Sequence, residues 1–240
     1  MLLGTGTATP HPLRAGSGAW LILERGHWLV DAGPGTLLRG AQAGVDLERI
    51  EGVILTHRHP DHAADLLPLL FALRARRRTA PLQLLGGPGT AQWLAEVQRA
   101  WTPWLSLRDA PVLVEELGAT PWRRGDLSVL ARPAVHPGGA LHLRVAAEGR
   151  AIAWSGDTGP SPHLAEVAAK ADLFLCECAC IEQRECPKHL APATVRAVLD
   201  EAQPQLTWLT HLYPEVDGPE ALRAMGPHRV ALATDLARWG

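Results

Sequence analysis

The chain has 240 residues, 47% of them hydrophobic, and a formal net charge of −2. That length permits one large core or two moderate ones, and the near-neutral charge lacks the global positive bias of a dedicated nucleic-acid binder. The opening MLLGTGTATP has no basic segment followed by a long apolar run, and no stretch reaches the ~20 apolar residues of a membrane helix. The expectation is therefore a soluble, cytoplasmic protein with no membrane partner.

In chain order, AWLILER and HWLVDAG read as strands with a turn at Arg25-Gly26, and PGTLLRGAQAG as a helix beginning near Pro34 and ending near Gly44. IEGVILTH is a buried strand, followed by a long helical pattern, HAADLLPLLFALRARRR, whose basic run Arg74, Arg76, Arg77 and Arg78 fits a solvated helix end. PLQLLGG and AQWLAEVQRAW repeat the strand–helix unit. The middle turns to β in APVLVEEL, DLSVLARPAVH, LHLRVAAE and RAIAWSGD, with a tight turn at Glu148-Gly149. Strand–helix alternation resumes with HLAEVAAKA, DLFLCEC, APATVRAVLDEA, LTWLTH, PEALRAMG and RVALAT. β-rich centre and strand–helix units at both ends predict two packed sheets with helices outside, in one domain over residues 1–240. The nine tryptophans are expected mostly in the core.

The chemistry concentrates in LTHRHPDHAADL, where His57, His59, Asp61 and His62 fall between a buried strand and a helix. Imidazoles with a carboxylate suit Zn²⁺, with Mn²⁺ or Fe²⁺ as alternatives. The plain alternative is a solvated turn with Asp61 capping the helix. Three further polar residues end apolar strands: His136 in SVLARPAVHP, Asp157 in AIAWSGDTG and His211 in LTWLTHLYP. Alone, each fits a turn or strand-end cap; together with the first segment they make seven ligands, enough for two ions with Asp157 between them.

THRHPDH resembles the T-H-x-H-x-D-H signature of the metallo-β-lactamase fold, and LVDAGPG, VHP, SGDT and LTH follow in that superfamily's order. The resemblance implies an α/β four-layer αββα sandwich. It implies that His57, His59 and His136 hold one metal and Asp61, His62 and His211 the other, with Asp157 shared. Asp31 of LVDAG is implied to organise the first metal loop without being a ligand.

Within the superfamily, LGTGTATP resembles the start of the phosphodiesterase branch, which includes ribonuclease Z and cyclic phosphodiesterases. Closely spaced glycines let backbone N–H groups approach a phosphate, although an ordinary turn explains them equally well. Glu177 and His189 are placed like the glutamate and histidine of ribonuclease Z. Their implied roles are proton donation to the leaving oxygen by His189, or a phosphate contact, with Glu177 orienting it; a surface salt link and a helix-start residue are the alternatives. Arg14 and Ser17 of PLRAGSG are candidate phosphate contacts, against a solvated loop. The tRNA-binding arm of ribonuclease Z has no room here, because Asp157 follows His136 by 21 positions.

The resemblance thus implies a dinuclear zinc hydrolase in which a metal-bridging hydroxide attacks a small cyclic or nucleic-acid-derived phosphodiester, with Asp61 orienting the nucleophile. The alternatives are an arm-less RNA endonuclease, a lactone or thioester hydrolase, and a non-enzymatic carrier. The partners expected are that substrate, or a short nucleic acid, and a second copy in a homodimer. Cys176, Cys178, Cys180 and Cys186 all fall in LCECACIEQREC. Their spacing matches paired zinc knuckles poorly, so the expectation is reduced thiols on a buried strand face, with neither a structural zinc nor a Cys180–Cys186 disulfide.

Overall fold

The structure is a computed structural model covering residues 1–240. Its first sheet has six strands in sequential order: β1 (Leu2–Gly4), β2 (Gly18–Leu23), β3 (Gly26–Val30), β4 (Ile50–Ile54), β5 (Leu82–Gly86) and β6 (Val112–Glu116). β1 to β3 are antiparallel and β3 to β6 parallel. The second sheet runs from β7 (Trp122–Arg124) through β8 (Leu127–Pro133), β9 (Leu141–Ala147), β10 (Arg150–Trp154), β11 (Leu173–Glu177) and β12 (Thr207–Thr210) to β13 (Val230–Leu232). Its strands are antiparallel up to β10 and parallel beyond.

Strand alternation sorts side chains into layers. Trp28 and Val30 of β3 face inward with Val129, Leu143, Leu173 and Leu175 of the second sheet, while Leu29 faces outward. The outer face of the first sheet packs on α1 (Thr36–Gln42), α3 (Leu66–Ala75) and α4 (Thr90–Ala100) through Leu37, Leu69, Leu70, Leu73 and Leu94. The outer face of the second packs Phe174 and Cys176 against α5 (Leu164–Ala168) and α6 (Pro192–Ala202). Helix, sheet, sheet, helix is the expected αββα order.

Local departures have local causes. The long helical pattern after residue 59 splits into α2 (Pro60–Ala63) and α3. A continuous helix would drive the Pro68 ring into the residue 64 carbonyl; restarting at Leu66 leaves Pro68 in a first turn, where no N–H is needed. Arg78 is not solvated: it is buried and donates to the Ala80, Ile50 and Pro81 carbonyls. Trp20 and Trp28 are core, but Trp101 and Trp104 stand exposed beside Phe71. The second sheet begins with a strand, β7, that the sequence pattern does not mark.

Candidate metal centre

The expected ligands converge at one edge of the sandwich, carried by loops that leave β4 in the first sheet and β8, β10 and β12 in the second. His57 and His59 follow β4, Asp61 and His62 lie in α2, and His211 directly follows β12. His136 stands three residues past β8 and Asp157 three past β10, so these sit in loops and not on strand ends as the sequence suggested. Donor atoms form two groups that share Asp157: His57, His59 and His136 on one side, and Asp61, His62 and His211 on the other. Asp157 Oδ2 lies 3.7 Å from His57 Nε2, 3.9 Å from His136 Nε2 and 3.3 Å from His211 Nε2, while Oδ1 is 3.2 Å from His62 Nε2. Asp61 Oδ2 is 3.4 Å from His211 Nε2, and His59 Nδ1 is 3.2 Å from His136 Nε2.

Asp31 orients this edge without entering it. Its carboxylate accepts from Thr56 N at 2.7 Å, from the Thr56 hydroxyl at 2.8 Å and from Ser17 Oγ at 3.2 Å, and takes the His62 Nδ1 hydrogen at 2.7 Å. That last bond fixes the ring by Nδ1 and turns His62 Nε2 toward Asp157, the orientation that carboxylate-supported metal histidines use. His136 Nδ1 likewise donates to the Lys188 carbonyl at 3.0 Å, aiming Nε2 at the cluster. Gly33 lets α2 approach: a Cβ there would lie 2.0 Å from the Asp61 carbonyl.

The donor set fits divalent cations on two grounds. First, Nε2 of His57 and of His62 is buried with no hydrogen-bond partner, a costly state unless something accepts the lone pair. Second, the electrostatics call for positive charge. Burial pushes His57 down to about 2, so its ring is a neutral donor. Burial acts to raise Asp157, but His211, His62 and His57 outweigh it and hold the carboxylate well below the usual range. Burial also opposes ionisation of Asp61, yet its His211 hydrogen bond and neighbouring imidazoles bring it down to about 2. At His62, Asp157 and Asp31 overcome burial and raise the ring well above its ordinary value, a pull that acts on any cation.

Glu177 and His189 stand against this cluster. Glu177, 1% exposed, accepts from Thr158 N at 2.6 Å, Leu190 N at 3.2 Å and His189 Nδ1 at 3.2 Å. A surface salt link is thereby ruled out for it. The His189 ring stacks on His211 with centroids 5.5 Å apart and lies 5.0 Å from that of His136. Burial disfavours the His189 imidazolium, but Glu177 outweighs burial and raises it above its ordinary value. Burial raises Glu177 too, against the lowering effect of His189.

The two candidate phosphate contacts are engaged elsewhere. Arg14 Nε and Nη2 each donate at 2.9 Å to Asp217, and Nη1 donates to Thr5 Oγ1 and the Ala233 carbonyl, both at 2.6 Å. It ties the N-terminal loop to the C-terminal third of the chain. Ser17 bonds Asp31 by its hydroxyl and Asp61 O by its N–H. The LGTG glycines serve packing: a Cβ on Gly4 or Gly6 would strike the Gly16 or Ala15 carbonyl.

The cysteine reading needs correction on two points. β11 ends at Glu177, so Cys178 and Cys180 lie beyond the strand, and Cys180 and Cys186 form a disulfide with Cα atoms 6.3 Å apart. The five residues between them, which include a 3-10 turn, fold their backbones together, which residue spacing alone does not reveal. Cys176 and Cys178 remain free and buried, and burial pushes the Cys178 thiol up to about 12. Sequence reasoning missed Thr56, Ser155, Thr158 and His142. The first three adjoin ligands in LTH and SGDT, which was the available signal.

A model described as a β-lactamase superfamily domain matches residues 27–212. The chain belongs to this superfamily. Ribonuclease Z of Mycobacterium marinum is 35% identical over 185 residues, a match spanning 71% of this chain and 66% of that protein. Among solved structures, the metallo-β-lactamase-fold protein YhfI from Bacillus subtilis superposes with a TM-score of 0.83 at 20% identity, covering 98% of this chain and 95% of its own. A diphosphatase of the PhnP family superposes with 0.77 at 17% identity, covering 98% and 94%. This superfamily member is thus a metal-dependent hydrolase whose fold implies a divalent cation.

Proposed function

We propose that residues 1–240 act as one dinuclear zinc hydrolase that cleaves a small cyclic or nucleic-acid-derived phosphodiester. His57, His59 and His136 would hold one cation and Asp61, His62 and His211 the second, with Asp157 shared. The observation that carries the reading is the Glu177–His189 pair, bonded at 3.2 Å and stacked against His211 beside the donor cluster. Phosphodiester cleavage needs a proton for the departing oxygen, and a charged imidazole held by a buried carboxylate is built to give one. Similarity to ribonuclease Z supports the same substrate class.

When bound, two divalent cations supply Lewis-acid polarisation of the phosphate and a water of lowered pKa. The remaining work falls to the chain. Asp61, ionised and ordered by His211, accepts a hydrogen bond from the attacking water and sets its direction. Glu177 holds the proton on His189 Nδ1, so that Nε2 delivers the other proton to the leaving oxygen. Thr158 N and Leu190 N keep the Glu177 carboxylate from turning away.

Metal analysis combined with a substrate panel tests this reading. The expected outcome is about two zinc ions per chain, with bis-p-nitrophenyl phosphate and a 2′,3′-cyclic nucleotide cleaved in preference to a lactone and a thioester. A preference for the lactone or thioester overturns the substrate class. Full activity in Asp157→Ala overturns the shared-carboxylate site.

A further inference from the structure

One buried titratable side chain close to the site has no part in the chemistry above. His142 on β9 is 0% exposed, with Nδ1 2.5 Å from the Ser155 carbonyl and Nε2 2.8 Å from the Ser161 hydroxyl. A carbonyl can only accept, so Nδ1 bears the hydrogen and Nε2 accepts from Ser161. Ser155 and Ser161 are the two ends of the loop that carries Asp157. A single imidazole therefore spans that loop.

The loop's other bonds explain why its position matters. Ser155 Oγ accepts from Glu177 N at 2.8 Å. Thr158 N donates to the Glu177 carboxylate, and Thr158 Oγ1 accepts from Val135 N at 3.1 Å. Gly159 N donates to the Val135 carbonyl at 3.0 Å, which ties the loop to the segment bearing His136. Beside His142, Leu141 N donates at 2.9 Å to the carbonyl of Thr56, the residue before His57.

We propose that His142 is a positioning residue: by clamping both ends of the Ser155–Ser161 loop it sets where Asp157 stands between the two cation positions and where Thr158 presents Glu177. Its catalytic consequence rests on the proposed metallophosphodiesterase reading; its effect on cation binding does not. Outer partners of this kind typically change metal affinity or activity about 10–100-fold when removed.

The test compares His142→Leu, which loses both bonds, with His142→Asn, which keeps an amide donor for Ser155, and Ser161→Ala, which frees one end. Zinc affinity is measured by chelator competition, and site geometry by the absorption spectrum of the Co²⁺-loaded protein, both without substrate. His142→Leu is expected to bind its weaker zinc about 10–100-fold less tightly, with a shifted cobalt spectrum. Its kcat on bis-p-nitrophenyl phosphate should fall by a similar factor at nearly constant KM, with His142→Asn recovering part of both losses and Ser161→Ala showing a smaller one. Wild-type zinc affinity and cobalt spectrum in His142→Leu overturn the proposal. If that variant does not fold, unchanged affinity and spectrum in Ser161→Ala overturn it instead. A wild-type protein that binds two zinc ions yet cleaves no phosphodiester defeats the functional reading and leaves the clamp standing.

Discussion

At His189, one side chain meets two demands that pull against each other. Its ring is partly buried, which disfavours charge, and it must be charged to act as an acid. Glu177 resolves the conflict by outweighing burial at the ring, while two backbone N–H donors hold its carboxylate in place against His189. An acid of this kind matters in proportion to how badly the leaving oxygen needs a proton. His189→Ala is therefore expected to lower kcat about 10²–10⁴-fold on an alkoxide-leaving substrate such as a 2′,3′-cyclic nucleotide. On bis-p-nitrophenyl phosphate, whose leaving group departs as a stable phenolate, the loss should be much smaller. Steady-state kinetics on the two substrates checks this, and equal losses would remove His189 from the acid role. The pairing of Glu177 and His189 was legible in the sequence because they stand at a strand end and before a helix in a familiar order. Arg14 and Ser17 were not: their type and loop suggested a ligand contact, but Asp217 lies 203 positions from Arg14, and no local pattern announces that pairing.

At the level of elements, the strands were legible where apolar runs ended in turn residues, and the β9–β10 turn falls at Glu148-Gly149 as expected. The broken helix at Ala64–Asp65 and the disulfide loop were not: the long apolar pattern ran through Pro68, which forces the restart, and cysteine spacing does not mark the 3-10 turn that brings Cys180 to Cys186. β9 shows how an element carries more than its pattern suggests. LHLRV reads as plain alternation, yet His142 faces α5 and is kept neutral: burial lowers it to about 4, against an ordinary value of 6.5. Between those values the unfolded chain takes up a proton that the folded chain refuses. Stability contributed by the neutral ring is thus complete above pH 6.5 and declines as pH falls toward 4, by about 3 kcal/mol in all. Urea midpoints at pH 7 and pH 5 should show wild type losing about 2 kcal/mol more than His142→Gln over that interval, referred to each protein's own pH 7 value. Equal losses would show that the ring is free to charge within the fold.

For the molecule as a whole, the sandwich places loops from both sheets at one edge, so candidate ligands separated by as many as 154 positions, His57 to His211, meet around one carboxylate. The order of motifs made this assembly legible before any geometry. The same architecture limits what can be gripped. Between His136 and Asp157 the chain closes a short loop through Ala134 N to the Ala140 carbonyl and then spends its residues on β9, the turn and β10. Glu148 and Gly149 take positive φ values of 54° and 74°, the geometry of a two-residue hairpin turn. This segment builds no arm to hold a folded RNA body away from the cleavage site. Remote contacts raise kcat/KM when their binding energy is used in the transition state; without an arm here, the body of a tRNA should bring no such gain. The expected result is a kcat/KM for precursor tRNA within about tenfold of that for a short single-stranded RNA with the same scissile phosphate. A preference for precursor tRNA of about 100-fold or more would mean that another surface of this chain recognises the folded RNA, and that the short hairpin does not set the substrate size.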